Sequence, residues 1–332
     1  MSNGKPSARS GFLLALKLAI SIALFGWLFQ KVDVDQVRIT LQQASVEWLI
    51  GAFSLLVASN VLGSYQWNRL LRVVGIELPF WKVVAYYHVG LFWNNFLPAN
   101  VGGDLARIAD ASRTGSTRTT AFSTVLLDRM IGTVALGSLA VVTTLPVIDH
   151  FHLAAVYSGV LAFFVLASVL LWAVLHPAAM DWLERMVLAV GLGRLRPSLE
   201  DMRLRMSAFR DRRVLLVQLF VVALAVQVMR IVVHVAVARA LGLDIPLTYF
   251  FLFVPLLAVI VSLPISLNGI GVREGAGILL FGLVGLEKES AFLLQFTTYL
   301  VAVAVSLIGG LVFLARIPRR RADARLPRRS AE

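Results

Sequence analysis

Apolar runs close to the ~20 residues needed to cross a bilayer recur from one end of this chain to the other. Full-length spans are expected near 11–30, 46–68, 120–145, 153–175, 214–238 and 291–315. Two further apolar regions, 83–112 and 249–285, are each broken by a polar motif: "FLPANVGGDLAR" (96–107) and "SLPISLNGIGVRE" (262–274). With 58% of its 332 residues hydrophobic, 15% charged and a mean hydropathy of +0.81, the chain has little left for a soluble domain. The reading is an all-α polytopic membrane protein, one integral membrane domain over 1–332. In a soluble protein the net charge of +12 would point to nucleic acid. Here the charges lie between the apolar runs, and no nucleic-acid partner is expected. The absence of cysteine excludes disulfides, thiolate metal sites and Cys nucleophiles. The first apolar run is long, contains Lys17 and lacks a small-x-small cleavage site, so it reads as a transmembrane helix and not as a signal peptide.

Lys and Arg in the connections set the orientation. Lys5 and Arg9 precede the first run; Arg69, Arg72 and Lys82 follow the second; Arg107, Arg113 and Arg118 lead into the third. The 176–213 segment carries eight arginines and the tail from Arg316 seven. Connection 31–45 has only Lys31 and Arg38, 146–152 has no Lys or Arg, and 286–290 has only Lys288. The basic set is expected in the cytoplasm, with both termini, in a multi-pass protein of the cell (inner) membrane. Region 83–112 then begins and ends on the cytoplasmic side, and 249–285 on the outer side. Each is a re-entrant or broken-helix hairpin, or a tight pair of crossings. The order span, span, hairpin, span occurs twice with opposite orientation. About six full spans plus two hairpins thus form an inverted-topology repeat, with halves near 11–145 and 153–315, a pattern common in transporters.

Broken backbone at membrane depth must be satisfied by protein or by a water-filled cavity. Pro98 and Pro264 are expected to end the incoming half-helices, and the glycines to permit the reversal. Asp104 is placed to cap the helix leaving the first tip. Helices starting near 105 and 272 aim N–H donors and partial positive charge at the tips, which suits an anion. Arg107 and Arg273, about one turn in, add bidentate phosphate contacts. Asn94, Asn95, Asn100, Gly102 and Gly103 at the first tip, and Asn268, Gly269, Gly271 and Glu274 at the second, complete the candidate substrate-binding set. The plain alternative is a helix-packing break with Asn and Gly satisfying the backbone.

Further charges lie inside the spans. Asp128 and Arg129 are adjacent, so they point in different directions on a helix. Asp128 is expected to pair with a tip arginine, and Arg129 to reach a phosphate or a carboxylate such as Glu274. Arg230 and His234, at i and i+4, share one helical face, with Arg230 the functional candidate and His234 the packing residue. Segment 176–213 mixes apolar residues with its arginines and five acidic residues. It reads as a cytoplasmic amphipathic helix pair on anionic lipid, or as a solvated connector. The tail 316–332 reads as a disordered, basic cytoplasmic tether.

Three motifs, "FWNNFLPANVGGDLAR" (92–107), "VLLDRMIG" (125–132) and "LPISLNGIGVREGA" (263–276), resemble in order and spacing the signatures of the lysylphosphatidylglycerol synthase transmembrane-region family, the flippase-like domain proteins. In two-domain members this region is thought to flip aminoacylated phosphatidylglycerol between leaflets, while a separate cytoplasmic domain makes that lipid. The resemblance implies a stand-alone translocase without the synthase domain. By motif position it covers Asn94, Asn95, Pro98, Gly102, Gly103, Asp104, Arg107, Asp128, Arg129, Asn268, Gly269, Gly271, Arg273 and Glu274. The lipid does not transfer with the fold.

The leading expectation is a lipid translocase for a phospholipid or lipid-linked intermediate. Its head group is held at the tips and its access alternates between leaflets. No nucleotide motif or cofactor is expected, and Asp128 and Glu274 are the candidate proton carriers if transport is coupled. An oligomer is compatible with this reading. One alternative is an embedded head-group transferase, although the five histidines are scattered and lack metalloenzyme spacing. The other is a non-transporting partner of envelope-lipid enzymes.

Overall fold

A computed structural model describes residues 39–40, 42–96, 101–113, 116–147, 154–191, 193, 196–262 and 269–323. The expected first span, 11–30, lies outside the described residues, as do both motif tips, 97–100 and 263–268, and with them Asn100 and Asn268. The described helices are α1 (Val46–Val73), α2 (Phe80–Phe96), α3 (Val101–Ser112), α4 (Arg118–Thr144), α5 (Ala154–Leu175), α6 (Pro177–Ala189), α7 (Arg196–Arg210), α8 (Arg213–Ala240), α9 (Leu247–Ser262), α10 (Val272–Gly282) and α11 (Lys288–Asp323). Five of them are long and apolar enough to cross a membrane: α1, α4, α5, α8 and the Lys288–Arg316 part of α11. They fall where the long apolar runs lie, and the chain is an all-α polytopic membrane protein. Helix α5 buries only Val160 and Ala167, and the rest of its apolar surface is of the kind a lipid-facing helix presents. Helices α2, α3, α9 and α10 have 17, 12, 16 and 11 residues, each short of the ~20 of a crossing.

Packing fixes where these pieces sit. Helices α1 and α8 pair antiparallel: the Ser45 N–H donates to the Ala240 carbonyl at 2.8 Å, and further along Ser59 Oγ donates to the Val226 carbonyl at 3.5 Å. The four short helices then pack in an exchanged pattern. Helix α3 lies on α4 and α10 on α11, whereas α2 lies on α11 and α9 on α4. Glycines make the tightest of these contacts possible. A Cβ on Gly309 of α11 would fall on the His88 carbonyl of α2, and one on Gly103 of α3 would fall on the Gly90 carbonyl of α2.

Two apolar clusters hold the ends. At the basic end, Leu70, Leu127 and Leu219 from the long helices pack with Met180, Met202, Met206 and Phe209 from α6 and α7. The 176–213 segment is therefore a folded helix pair docked on the bundle, tied also by Thr117 Oγ1 donating to Asp201 Oδ2 at 2.9 Å. It is not a solvated connector: Phe209 is fully buried and Met206 nearly so. The opposite end is built around Phe250, Phe253 and Phe281 of α9 and α10, with Phe253 and Phe281 ring centres 5.2 Å apart in an edge-on arrangement.

Two expectations about element ends are corrected. Helix α3 begins at Val101 and not near 105, so Asp104 lies within the first turn and is not its cap. Its carboxylate is drawn instead to an arginine on α4. Helix α11 continues through Asp323, so residues 316–323, expected as part of a disordered tail, are helical. Ala and Arg are good helix formers, and extending an existing helix needs no new nucleus.

Candidate functional site

A cavity of about 500 Å³ lies between α1, α2, α3, α4, α8, α9, α10 and α11. Its wall is amphipathic. Leu56, Leu136, Leu139, Val226, Val254 and Leu257 form apolar stretches, while Asn60, Gln66, Asn94, Gln227, Thr298 and Ser306 interleave polar groups. Four arginines reach it, Arg107, Arg129, Arg230 and Arg273, with Asp128 and His234. Thus Asn94, Arg107, Asp128, Arg129, Arg230 and Arg273, chosen from four separate stretches of sequence, line one cavity.

The first pair of short helices supplies a locked cluster. Arg107 Nη2 donates to Asp128 Oδ2 at 2.7 Å, with the two side chains only 5% and 8% exposed. Gln66 Nε2 of α1 donates to the other oxygen, Asp128 Oδ1, at 2.9 Å. The Arg107 guanidinium also lies 4.3 Å from the Trp67 ring centre and 4.7 Å from that of Tyr87. Trp67 is in turn fixed by donating to Thr124 Oγ1 at 3.1 Å. A guanidinium is weakly hydrated and stacks on aromatic faces, so it tolerates this burial where an ammonium would not. Asp128 meets a tip-proximal arginine, as its place in an apolar run requires.

Arg129 reaches a carboxylate as expected, but that of Asp104 and not of Glu274. Its Nε donates to both Asp104 oxygens at 3.1 Å and its Nη2 donates to Asp104 Oδ1 at 2.9 Å. Asp128 and Arg129 thus meet two residues one turn apart on the same face of α3, Arg107 and Asp104. Asn94 Oδ1 accepts the Gly103 N–H at 2.7 Å, which holds the start of α3 against the end of α2. Gly102 is buried in that first turn, and Asn95 lies in the last turn of α2.

The second pair is arranged otherwise. Gly269 and Gly271 adopt φ of 77° and 81°, a region that favours glycine. Helix α10 starts directly after them, and the Gly271 N–H donates to Glu274 Oε2 at 2.7 Å. Glu274 is 1% exposed and lies off the cavity wall, serving the helix N-terminus. Arg273 lies on the wall with its guanidinium 4.9 Å from the Tyr299 ring centre. On α8, Arg230 and His234 both line the cavity, and His234 Nδ1 lies 2.9 Å from the Arg230 carbonyl oxygen. His234, expected only to pack, is part of the wall.

Gln66, Tyr87, Gln227 and Tyr299 were not among the expected site residues. A signal for Gln66 was present: Asn60, Ser64, Gln66 and Asn68 interrupt the polarity of an otherwise apolar span, and all four are buried. Polar groups at membrane depth face the bundle interior or a cavity.

What such a site can do follows from its make-up. It joins cationic donors suited to phosphate oxygens to apolar walls suited to hydrocarbon. A search of relatives agrees with a membrane role. The chain is similar to a UPF0104 membrane protein of Pyrococcus horikoshii (PH1989), 25% identical over 123 residues, 36% of this chain and 35% of that protein. It is likewise similar to a UPF0104 membrane protein of Methanocaldococcus jannaschii (MJ1595), 26% identical over 127 residues, 38% of this chain and 37% of that protein. The matched stretch thus spans little more than a third of each of these relatives. The family model for the lysylphosphatidylglycerol synthase TM region matches residues 14–310, nearly the whole chain and all three motifs. The chain belongs to the lysylphosphatidylglycerol synthase TM region family.

Proposed function

We propose that this protein moves a lipid between membrane leaflets, passing the head group through the central cavity while the acyl chains stay in hydrocarbon. The observation that carries the reading is the amphipathic cavity of about 500 Å³ with four arginines on its wall. A volume of that size falls in the usual range for small-molecule sites, ~300–1,000 Å³. Arginines at membrane depth are costly, at least ~2.5 kcal/mol each without compensation. Arg107 and Arg129 are compensated by Asp128 and Asp104, whereas Arg230 on the same wall has no carboxylate partner among the described residues, and an anionic occupant supplies a partner.

The exchanged packing of the short helices supports an inverted repeat. Helix α2 of the first half lies on the last span of the second, and α9 of the second half on the last span of the first. On this reading α2–α3 and α9–α10 are re-entrant hairpins, since none of the four is long enough to cross alone. Rocking one half against the other then alternates access to a fixed site. The basic end, with α6 and α7, is assigned to the cytoplasm by the positive-inside rule, in the cell membrane. There the arginines of α6 and α7 meet anionic lipid. The chain acts as a transporter and not as an enzyme.

Because the protein has no cysteine, a single one at Ala258, on the cavity wall, provides the test. Lipid exchange between the leaflets of proteoliposomes is expected to stop once a bulky maleimide is attached there. Exchange that continues unchanged after complete labelling would mean that the cavity is not the path.

A further inference from the structure

We infer that the head group accepted by this cavity is anionic and carries no amine: a phosphate ester without an ammonium. The inference rests on the translocase reading above and runs against the aminoacylated lipid that the family's name brings to mind. An ammonium at membrane depth is costly unless it is paired, and a carboxylate is the partner that cancels its charge. Asp104, Asp110, Asp128 and Glu274 are the carboxylates within the helices that build the site away from their membrane-end turns, and each is engaged. Asp128 accepts from Arg107 at 2.7 Å and from Gln66 at 2.9 Å. Asp104 is held by Arg129 at 2.9 Å. Asp110 lies 3.2 Å from Arg316 and 3.5 Å from Arg113. Glu274 is taken by the Gly271 N–H at 2.7 Å. Asp128 alone of the four lines the cavity. The tips 97–100 and 263–268, and the apolar run 11–30, contain no Asp or Glu.

The cations are placed in the opposite way. Arg107, Arg129, Arg230 and Arg273 all reach the wall, so arginines outnumber carboxylates there. The guanidinium of Arg230, half-buried on α8, makes no hydrogen bond or ion pair with any described residue. Its planar fork matches two oxygens of a phosphate, and His234 stands one turn further along the same wall. A lysyl or ethanolamine ammonium would meet this excess of positive charge and would have to break the Arg107–Asp128 pair to find an anion. A phosphate ester meets Arg230 with no rearrangement of the ion pairs.

Two sources offer that chemistry, a glycerophospholipid such as phosphatidylglycerol and a polyprenyl phosphate. The test uses wild type, Arg230→Gln and Arg230→Lys in proteoliposomes, with leaflet-labelled phosphatidylglycerol, polyprenyl phosphate, phosphatidylethanolamine and lysylphosphatidylglycerol. One of the two amine-free lipids is expected to cross at least ten-fold faster than either amine-bearing lipid, and which one moves identifies the source. Arg230→Gln is expected to reduce that preference at least five-fold, and Arg230→Lys to restore part of it. Equal movement of all four lipids, or faster movement of lysylphosphatidylglycerol, would overturn the inference while the translocase reading stood. Should no lipid move, the translocase reading fails by itself, and retention of the same lipids by the detergent-solubilised protein in native mass spectrometry decides the head group. Selective retention of an amine-free lipid, lost in Arg230→Gln, supports the inference; indifferent or amine-selective retention overturns it.

Discussion

The two aspartate–arginine pairs look alike in sequence and differ in burial, and the difference sets what each contributes. Arg107 and Asp128 are 5% and 8% exposed, and removing one partner of a buried pair costs on the order of 3–5 kcal/mol because the other charge is stranded. Arg107→Ala is therefore expected to lower the unfolding temperature in detergent sharply. Arg107→Lys is expected to rescue little of it, since an ammonium cannot keep the contacts with Trp67 and Tyr87. Arg129, with its side chain 47% exposed and Asp104 at 23%, is less buried. Arg129→Gln is expected to lower the unfolding temperature less than Arg107→Ala does, in the same melts. Equal losses from both substitutions would contradict the division into a more and a less buried pair. These partners were only partly legible in the sequence. A charge within an apolar run announces that it needs a partner, but Asp104 against Arg129 is a tertiary choice between helices, and nothing in the spacing names it. Arg129 was expected to reach a phosphate or a carboxylate such as Glu274; the carboxylate it meets is Asp104, while Glu274 accepts the Gly271 N–H at the start of α10.

At the scale of elements, the long spans were readable because a run of about 20 apolar residues has one economical solution in hydrocarbon. The ends of α2 at Phe96 and of α9 at Ser262 were readable because a Leu-Pro pair follows each, with Asn and Gly close behind, and proline disfavours the helical conformation in the residue before it. The starting turn of α3 was not, because two glycines at its start disfavour helix and the Asn94 side chain that receives the Gly103 N–H comes from α2. Nor was the docking of α6 and α7. Their methionines and Phe209 are spaced among arginines, and only the apolar ends of the neighbouring spans decide that they are buried. Glycines on α11 carry the close contact with α2. A side chain at Gly309 would collide with the His88 backbone, whereas Gly275 on α10 has open space around it. Overpacking of a tight contact costs ~1–3 kcal/mol or more. Gly309→Leu is expected to destabilise by at least that much and Gly275→Leu to be near neutral, as read from denaturant or thermal unfolding. A tolerated Gly309→Leu would mean that α2 and α11 are not apposed as described.

For the whole molecule, the arrangement of spans and short helices makes one cavity from segments far apart in the chain, and the family assignment over residues 14–310 covers every segment that lines it. What passes through the cavity is read out by lipid movement. Wild-type protein and Arg273→Ala, reconstituted at equal density and verified as folded, are compared for transfer of leaflet-labelled phospholipids and a polyprenyl phosphate across proteoliposome membranes. The account predicts that wild type moves at least one of these lipids well above protein-free vesicles and that Arg273→Ala loses most of that rate. Movement by both proteins at the same rate would remove Arg273 and its cavity from the path, and no movement of any lipid by folded wild type would contradict the translocase reading itself.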